Sequence, residues 1–207
     1  MNLLLTHPDA RVPAALLLYV LLWLAAAFGW RSWLTWRRTG INPLVLPRGD
    51  SAEAWVGRAF KLELAALPAA CAAAAVWPEL QPHLGPLPLL QHPGVQAFGV
   101  LLLVASWLLV LRAQADLGQA WRIGIDRQHA TPLMRHGAYR YSRNPIFLGM
   151  RLALAGGLAT WPNAATLALT LVGEVLLQVQ VRLEEAFLQQ RHGAAYTRYC
   201  QQVRRWF

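Results

Sequence analysis

Two adjacent carboxylates, Glu184 and Glu185, stand where a long apolar run ends, on a side of the chain otherwise rich in arginine. Neighbouring helical residues point about 100° apart, so one can hold a ligand while the other pairs with an arginine. A second polar segment, residues 113–144, carries Gly137, Tyr139, Arg140, Arg143 and Asn144, followed by Pro145 and Gly149. Taken singly, each has a plain use. Asn144 and Pro145 suit a helix N-cap and first turn. Arg140 and Arg143 suit lipid phosphates, Gly137 a turn, and Gly149 close helix packing. Glu174, with Gln178 one turn on, lies in the middle of an apolar run. An ionisable residue at that depth either serves a site or ties its helix to a neighbour. There is no nucleophile triad and no Gly-rich dinucleotide fingerprint. Cys71 and Cys200 have neither disulfide nor metal-ligand spacing, so no metal site is expected.

The elements that must position these residues are membrane helices. The 207 residues are 56% hydrophobic and only 14% charged, against about a quarter charged in soluble domains. Nearly uncharged stretches cover residues 12–30, 62–77, 94–111 and 146–183. The last is too long for one crossing of about 20 residues, and Trp161-Pro162-Asn163 breaks it into a tight hairpin. The expectation is an all-α integral membrane protein with five transmembrane helices, the fourth short, and a cytoplasmic interfacial helix over residues 192–206. In that last helix Ala195, Tyr199, Val203 and Trp206 share a face. Two regions follow: an N-terminal three-helix membrane part, 1–112, and a C-terminal catalytic part, 113–207.

Charge sets the expected direction. Eighteen of the 19 Lys and Arg residues, Arg48 and Arg151 among them, fall on one side of five such helices. The positive-inside rule makes that side cytoplasmic, with the N-terminus outside, as in a bacterial inner membrane. The net charge of +9 is thereby explained without a nucleic-acid partner. A cleaved signal peptide is disfavoured, because the basic cluster follows the first apolar run. Ten Trp residues suit interfacial anchoring.

The order Gly-x-Tyr-Arg-Tyr-x-Arg-Asn-Pro-x-Phe-x-Gly (137–149), hairpin, Glu-Glu-x-x-Leu (184–188), Gly-x-x-Tyr-x-x-Tyr (193–199) and Val-x-Arg-Trp (203–206) is a combination. It resembles the isoprenylcysteine carboxyl methyltransferase and phospholipid methyltransferase superfamily, over residues 117–206. Asn144 stands where that superfamily often has His. The resemblance implies a membrane enzyme using S-adenosylmethionine. Gly137, Tyr139, Arg143, Asn144 and Pro145 would form one wall of the cofactor site, Gly149 would lie close by, and Glu184 or Glu185 would close it. Arg140, Tyr196 and Tyr199 would stand further out. Arg143, Glu184 and Glu185 would act nearest the reaction. The chemistry fits the residue types: a carboxylate suits an ammonium or ribose hydroxyls, Arg a carboxylate, and aromatic faces adenine and a sulfonium. The acceptor would be lipophilic or amphipathic (a lipid amine, thiol or carboxylate), reached through the bilayer, with membrane lipids as partners. Oligomeric state is not encoded. A redox enzyme on the same scaffold, as in the related sterol reductases, and a non-catalytic membrane protein are the alternatives.

Overall fold

The computed structural model describes residues 8–45, 49–129 and 131–207. Arg48 lies outside them. The described residues form helices and short 3-10 turns, without a named strand. Helix α1, Arg11–Thr39, is continuous for 29 residues, with a π turn at Ala25–Trp30. It ends at Gly40, whose φ of 69° is the left-handed stop that glycine permits. Helix α2 spans Ala52–Val76, α3 Pro93–Leu117, α4 Pro145–Thr160, α5 Ala164–His192 and α6 Ala194–Gln202.

Four of these, α1, α2, α3 and α5, are long and apolar enough to cross a membrane. Leu18, Leu62, Leu101, Leu108 and Val175 are all more than half exposed. Such outward-facing aliphatic surface is at home in lipid, not water. This is a multi-pass membrane protein. Helix α4 has 16 residues, about 24 Å of rise, less than the roughly 30 Å hydrocarbon thickness.

The hairpin expected between α4 and α5 is present, and its turn is built locally. Asn163 Oδ1 accepts from the Thr166 N–H at 3.0 Å and Thr166 Oγ1 from the Asn163 N–H at 3.2 Å. Such a capping box fixes where α5 begins and is worth about 1 kcal/mol. The Pro-rich stretch between α2 and α3 clasps the tip: Leu87 N–H donates to Pro162 O at 3.1 Å, and Ala164 N–H to Gly85 O at 2.7 Å. Helices α3 and α4 touch backbone to backbone. A Cβ on Gly99 would lie 2.9 Å from Gly156 O, and one on Gly156 2.9 Å from Gly99 O. Paired glycines permit this approach.

Two boundaries differ from expectation, and one charged residue finds its partner. Helix α2 starts ten residues before Leu62, because Ser51 Oγ accepts from Ala54 N–H at 3.1 Å. That cap opens a polar first half with Glu53, Arg58 and Lys61. Arg151 stands in α4, as its place in the 146–183 stretch implied, and its Nε meets Glu174 Oε2 at 2.7 Å. Glu174 therefore ties α5 to α4. The C-terminal segment is not one amphipathic helix. Gly193, φ 50°, ends α5, α6 lasts nine residues, and an extended strap follows from Val203. Tyr196 and Tyr199 of α6 are each 3% exposed, so this helix is packed into the protein.

Candidate functional site

The Glu185 carboxylate joins three parts of the chain. Its Oε1 accepts from Arg143 Nε and Nη2, at 3.2 and 3.1 Å, and from Asn144 Nδ2 at 3.0 Å. Its Oε2 accepts from Arg205 Nε and Nη2, at 3.0 and 2.7 Å. Arg143 is held further by the strap: Nη1 donates to Val203 O at 2.9 Å, and its backbone N–H to Arg204 O at 3.0 Å. Ser142 Oγ donates to Arg205 O at 3.1 Å. The strap ends with Trp206, whose ring lies under the Arg151 guanidinium at 4.5 Å. Asn144 does not cap α4 with its side chain, as its type suggested. The amide is drawn to Glu185 instead, and α4 opens on Pro145.

Glu184, about 100° around the helix, faces elsewhere. It lines a cavity of about 300 Å³ with Tyr139, Arg143, Asn144, Gln180 and Tyr199. Apolar walls come from Trp23 and Phe28 of α1, Phe60 and Leu64 of α2, and Met150 of α4. Glu184 Oε1 accepts from Gln180 Nε2 at 3.0 Å and makes no ion pair among the described residues. Tyr139 is 9% exposed; burial first, and then the neighbouring Glu184, push its phenol well above its ordinary pKa. Tyr199 donates its hydroxyl to Tyr139 O at 2.6 Å, and burial raises its pKa to about 12. Both tyrosines are therefore neutral at physiological pH.

The turn leading to Tyr139 depends on one glycine. Gly137 has φ +60°, and a Cβ there would collide with the Asp116 carboxylate. That carboxylate accepts from Ala138 N–H at 2.8 Å and pairs with Arg112 at 3.1 Å. The loop after α3 closes the polar end of the cavity. Arg122 Nε meets Asp126 Oδ2 at 2.9 Å, and His129 Nδ1 meets the same oxygen at 2.9 Å. Burial alone would raise the Asp126 carboxyl. The N–H groups of His129 and Gln128, the Arg122 guanidinium and the His129 ring outweigh it and bring the pKa down to about 2. Arg127 Nη2 reaches Glu53 of α2 at 2.6 Å and anchors this loop.

The expected residues thus divide. Tyr139, Arg143, Asn144, Glu184 and Tyr199 line the cavity. Glu185 stands behind them as the shared partner of Arg143, Asn144 and Arg205. Gly137 shapes the turn, and Pro145 is buried at the start of α4. Gly149 packs on Val110 of α3 and does not line this cavity. Arg140 is exposed over the Tyr141 ring, 5.3 Å from its centroid, and does not line it either.

Several wall residues carried no expectation. Gln114, in the last turn of α3, is 2% exposed. Its Nε2 donates to Ala27 O in the π turn at 2.8 Å, while its Oε1 is buried with no partner. An amide just past the aliphatic run 108–111, between Arg112 and Asp116, was the available signal. Gln180 could have been found one turn before Glu184. Arg205 was visible only as one of many surface charges.

None of the curated proteins and none of the solved structures compared matches the chain. One family model does match, described as phospholipid methyltransferase, over residues 95–195. The matched stretch runs from the first turn of α3, through Arg143, Asn144, Glu184 and Glu185, to the first turn of α6. Residues 95–195 are similar to the phospholipid methyltransferase family, in agreement with the resemblance carried by the motifs between Gly137 and Trp206.

Proposed function

We propose that the protein transfers a methyl group from S-adenosylmethionine to a lipophilic or amphipathic acceptor. The observation that carries this reading is the cavity's two-sided wall. Its cytoplasmic end presents Tyr139, Arg143, Asn144, Glu184 and Tyr199, and its deep end presents Trp23, Phe60, Leu64 and Met150 from membrane helices. A water-soluble donor and a bilayer-borne acceptor can meet only in a chamber of that kind.

The residues suit the donor chemically. The Glu184 carboxylate, unpaired by any cation among the described residues, can accept from an ammonium or from ribose hydroxyls. The orphaned Gln114 Oε1 offers a further buried acceptor. Arg143 donates four of its five N–H groups to Glu185, Cys200 O and Val203 O, which leaves one Nη2 N–H for a ligand carboxylate. Trp121, 2% exposed, and Phe187 offer aromatic faces to adenine. When bound, the cofactor supplies an activated methyl on a sulfonium, so no enzyme nucleophile is required. What the chain contributes is position and exclusion of water. Gly137, Pro145, Gly149 and Glu185 support the wall from behind, and Arg140 faces the surface.

The membrane arrangement follows the same reading: five membrane-embedded helices, α4 the short one, with the N-terminus outside and the basic face cytoplasmic. Isothermal titration of purified protein with S-adenosylmethionine, and separately with a reduced nicotinamide cofactor, tests the proposal. Binding of the sulfonium alone is expected. Binding of the nicotinamide alone, or of neither, refutes it.

A further inference from the structure

Beside the main cavity lies a second, smaller pocket of about 80 Å³, bounded by α1, α2, α3, α4 and α5. Trp23, Phe60, Leu64 and Met150 line both, so the two spaces adjoin. The smaller pocket is apolar but for a few groups. Tyr19 has its hydroxyl engaged, donating to Leu103 O at 2.9 Å. Two others are unengaged. Glu63, halfway along α2, makes no hydrogen bond or ion pair among the described residues. Its Oε1 lies 3.3 Å from where a Gly173 Cβ would be, in room that the glycine leaves. Trp23 Nε1 is buried and has no partner. A carboxyl and an indole N–H left open in a membrane interior are costly, and such groups mark ligand contacts.

We propose that this pocket seats the tail-proximal part of a single-tailed lipid acceptor, and that Glu63 reads a hydroxyl on it, with Trp23 donating to the same oxygen. The proposal rests on the methyltransferase reading for its word "acceptor", and adds to it the kind of lipid. Three observations carry it. A hydroxyl satisfies an open acceptor and an open donor at once through a single oxygen. The free space is small, which suits one chain. The depth also fits. Gly173, against Glu63, lies seven residues from Gln180 on α5, about 10 Å of helix rise. That span is comparable to the one between the terminal nitrogen of a phosphoethanolamine headgroup and the glycerol hydroxyl beside its single acyl chain.

The test is lipid binding in detergent, read by native mass spectrometry without any methyl donor. The probes are 1-acyl-lysophosphatidylethanolamine and the same molecule lacking its free glycerol hydroxyl. The native protein should bind the hydroxyl form about tenfold more tightly, the worth of one satisfied buried polar pair. Glu63→Leu should erase that preference, and Glu63→Gln, which still accepts, should keep most of it. Equal binding of the two lipids by the native protein, binding of neither, or an undiminished preference in Glu63→Leu overturns the proposal. A separate titration with S-adenosylmethionine distinguishes the two levels. Lipid preference without sulfonium binding sinks the methyltransferase reading alone. Sulfonium binding without lipid preference sinks only the role of Glu63.

Discussion

Removing the Glu185 carboxylate should cost far more than removing either of the flexible groups around it. In the structure it accepts five hydrogen bonds from Arg143, Asn144 and Arg205. The Arg143 and Glu185 side chains are only 12% and 11% exposed, whereas Arg205 is 34% exposed. Glu185→Ala leaves one largely buried guanidinium facing another. Breaking a buried pair from one side costs about 3–5 kcal/mol. Arg205→Met leaves Glu185 still paired to Arg143 and Asn144, and so should cost about 1 kcal/mol, near the value for a half-exposed pair. At about 2–4 °C per kcal/mol for a chain of this length, the thermal midpoint in detergent should fall by about 6–20 °C for the first variant and by about 2–4 °C for the second. Arg205→Met placed in a Glu185→Ala background should then add almost nothing, because its partner is already gone. Cofactor affinity should follow, since Arg143 and the strap lose their common anchor. A Glu185→Ala midpoint within 2 °C of the native protein's, or additive effects in the double variant, would falsify the assignment of Glu185 as the joint between loop, helix and strap.

Gly137→Ala should destabilise by about 1–3 kcal/mol, since alanine is strained at φ +60°; it should also displace Tyr139, measured as a lower midpoint and weaker cofactor binding. Tyr199→Phe removes a 2.6 Å hydrogen bond to Tyr139 O and should cost about 1 kcal/mol in the same thermal assay. Asp126 titrates at about 2 when folded, below its ordinary 3.8, so its contribution is complete above the ordinary value and is lost as pH falls through about 2. Asp126→Asn should therefore flatten the stability profile between about pH 4 and 2, and an unchanged acid limb would contradict the Arg122–Asp126–His129 cluster. A reporter following Phe207 should read cytoplasmic and one inserted at His83 external; the reverse at either place would overturn the proposed topology.

The membrane helices were legible because their signal is compositional. Long uncharged runs, the Trp161-Pro162-Asn163 break and His92-Pro93 all mark ends that local chemistry enforces. The start of α2 was less so. Glu53, Arg58 and Lys61 belong to a polar helix half whose only terminal mark is Ser51, and a hydropathy window passes over such a turn. The Glu184–Glu185 pair illustrates both success and limit. Helical geometry alone says that the two must face different ways, and they do. Which one meets the arginines depends on the strap, whose path from Val203 to Trp206 is set by carbonyl oxygens that accept from Arg143 and Ser142. Backbone acceptors have no residue type, so no inspection of letters locates them. Gln114 was hidden likewise. Its place in the wall depends on Ala27 O, presented by a π turn of another helix, and not on any neighbour in sequence.

The two arms of the hairpin are unequal, 16 residues in α4 against 29 in α5. Measured from the clasped tip, the longer arm overshoots by about 20 Å. The overshoot works as a mast. In the proposed membrane arrangement it would lift Glu184, Phe187 and the docked α6 clear of the hydrocarbon, while its root stays bolted to α4 through Glu174 and Arg151. Deleting one turn of the mast between Gly173 and Gln180 would leave every motif intact in the sequence and yet sink the chamber's mouth below the waterline.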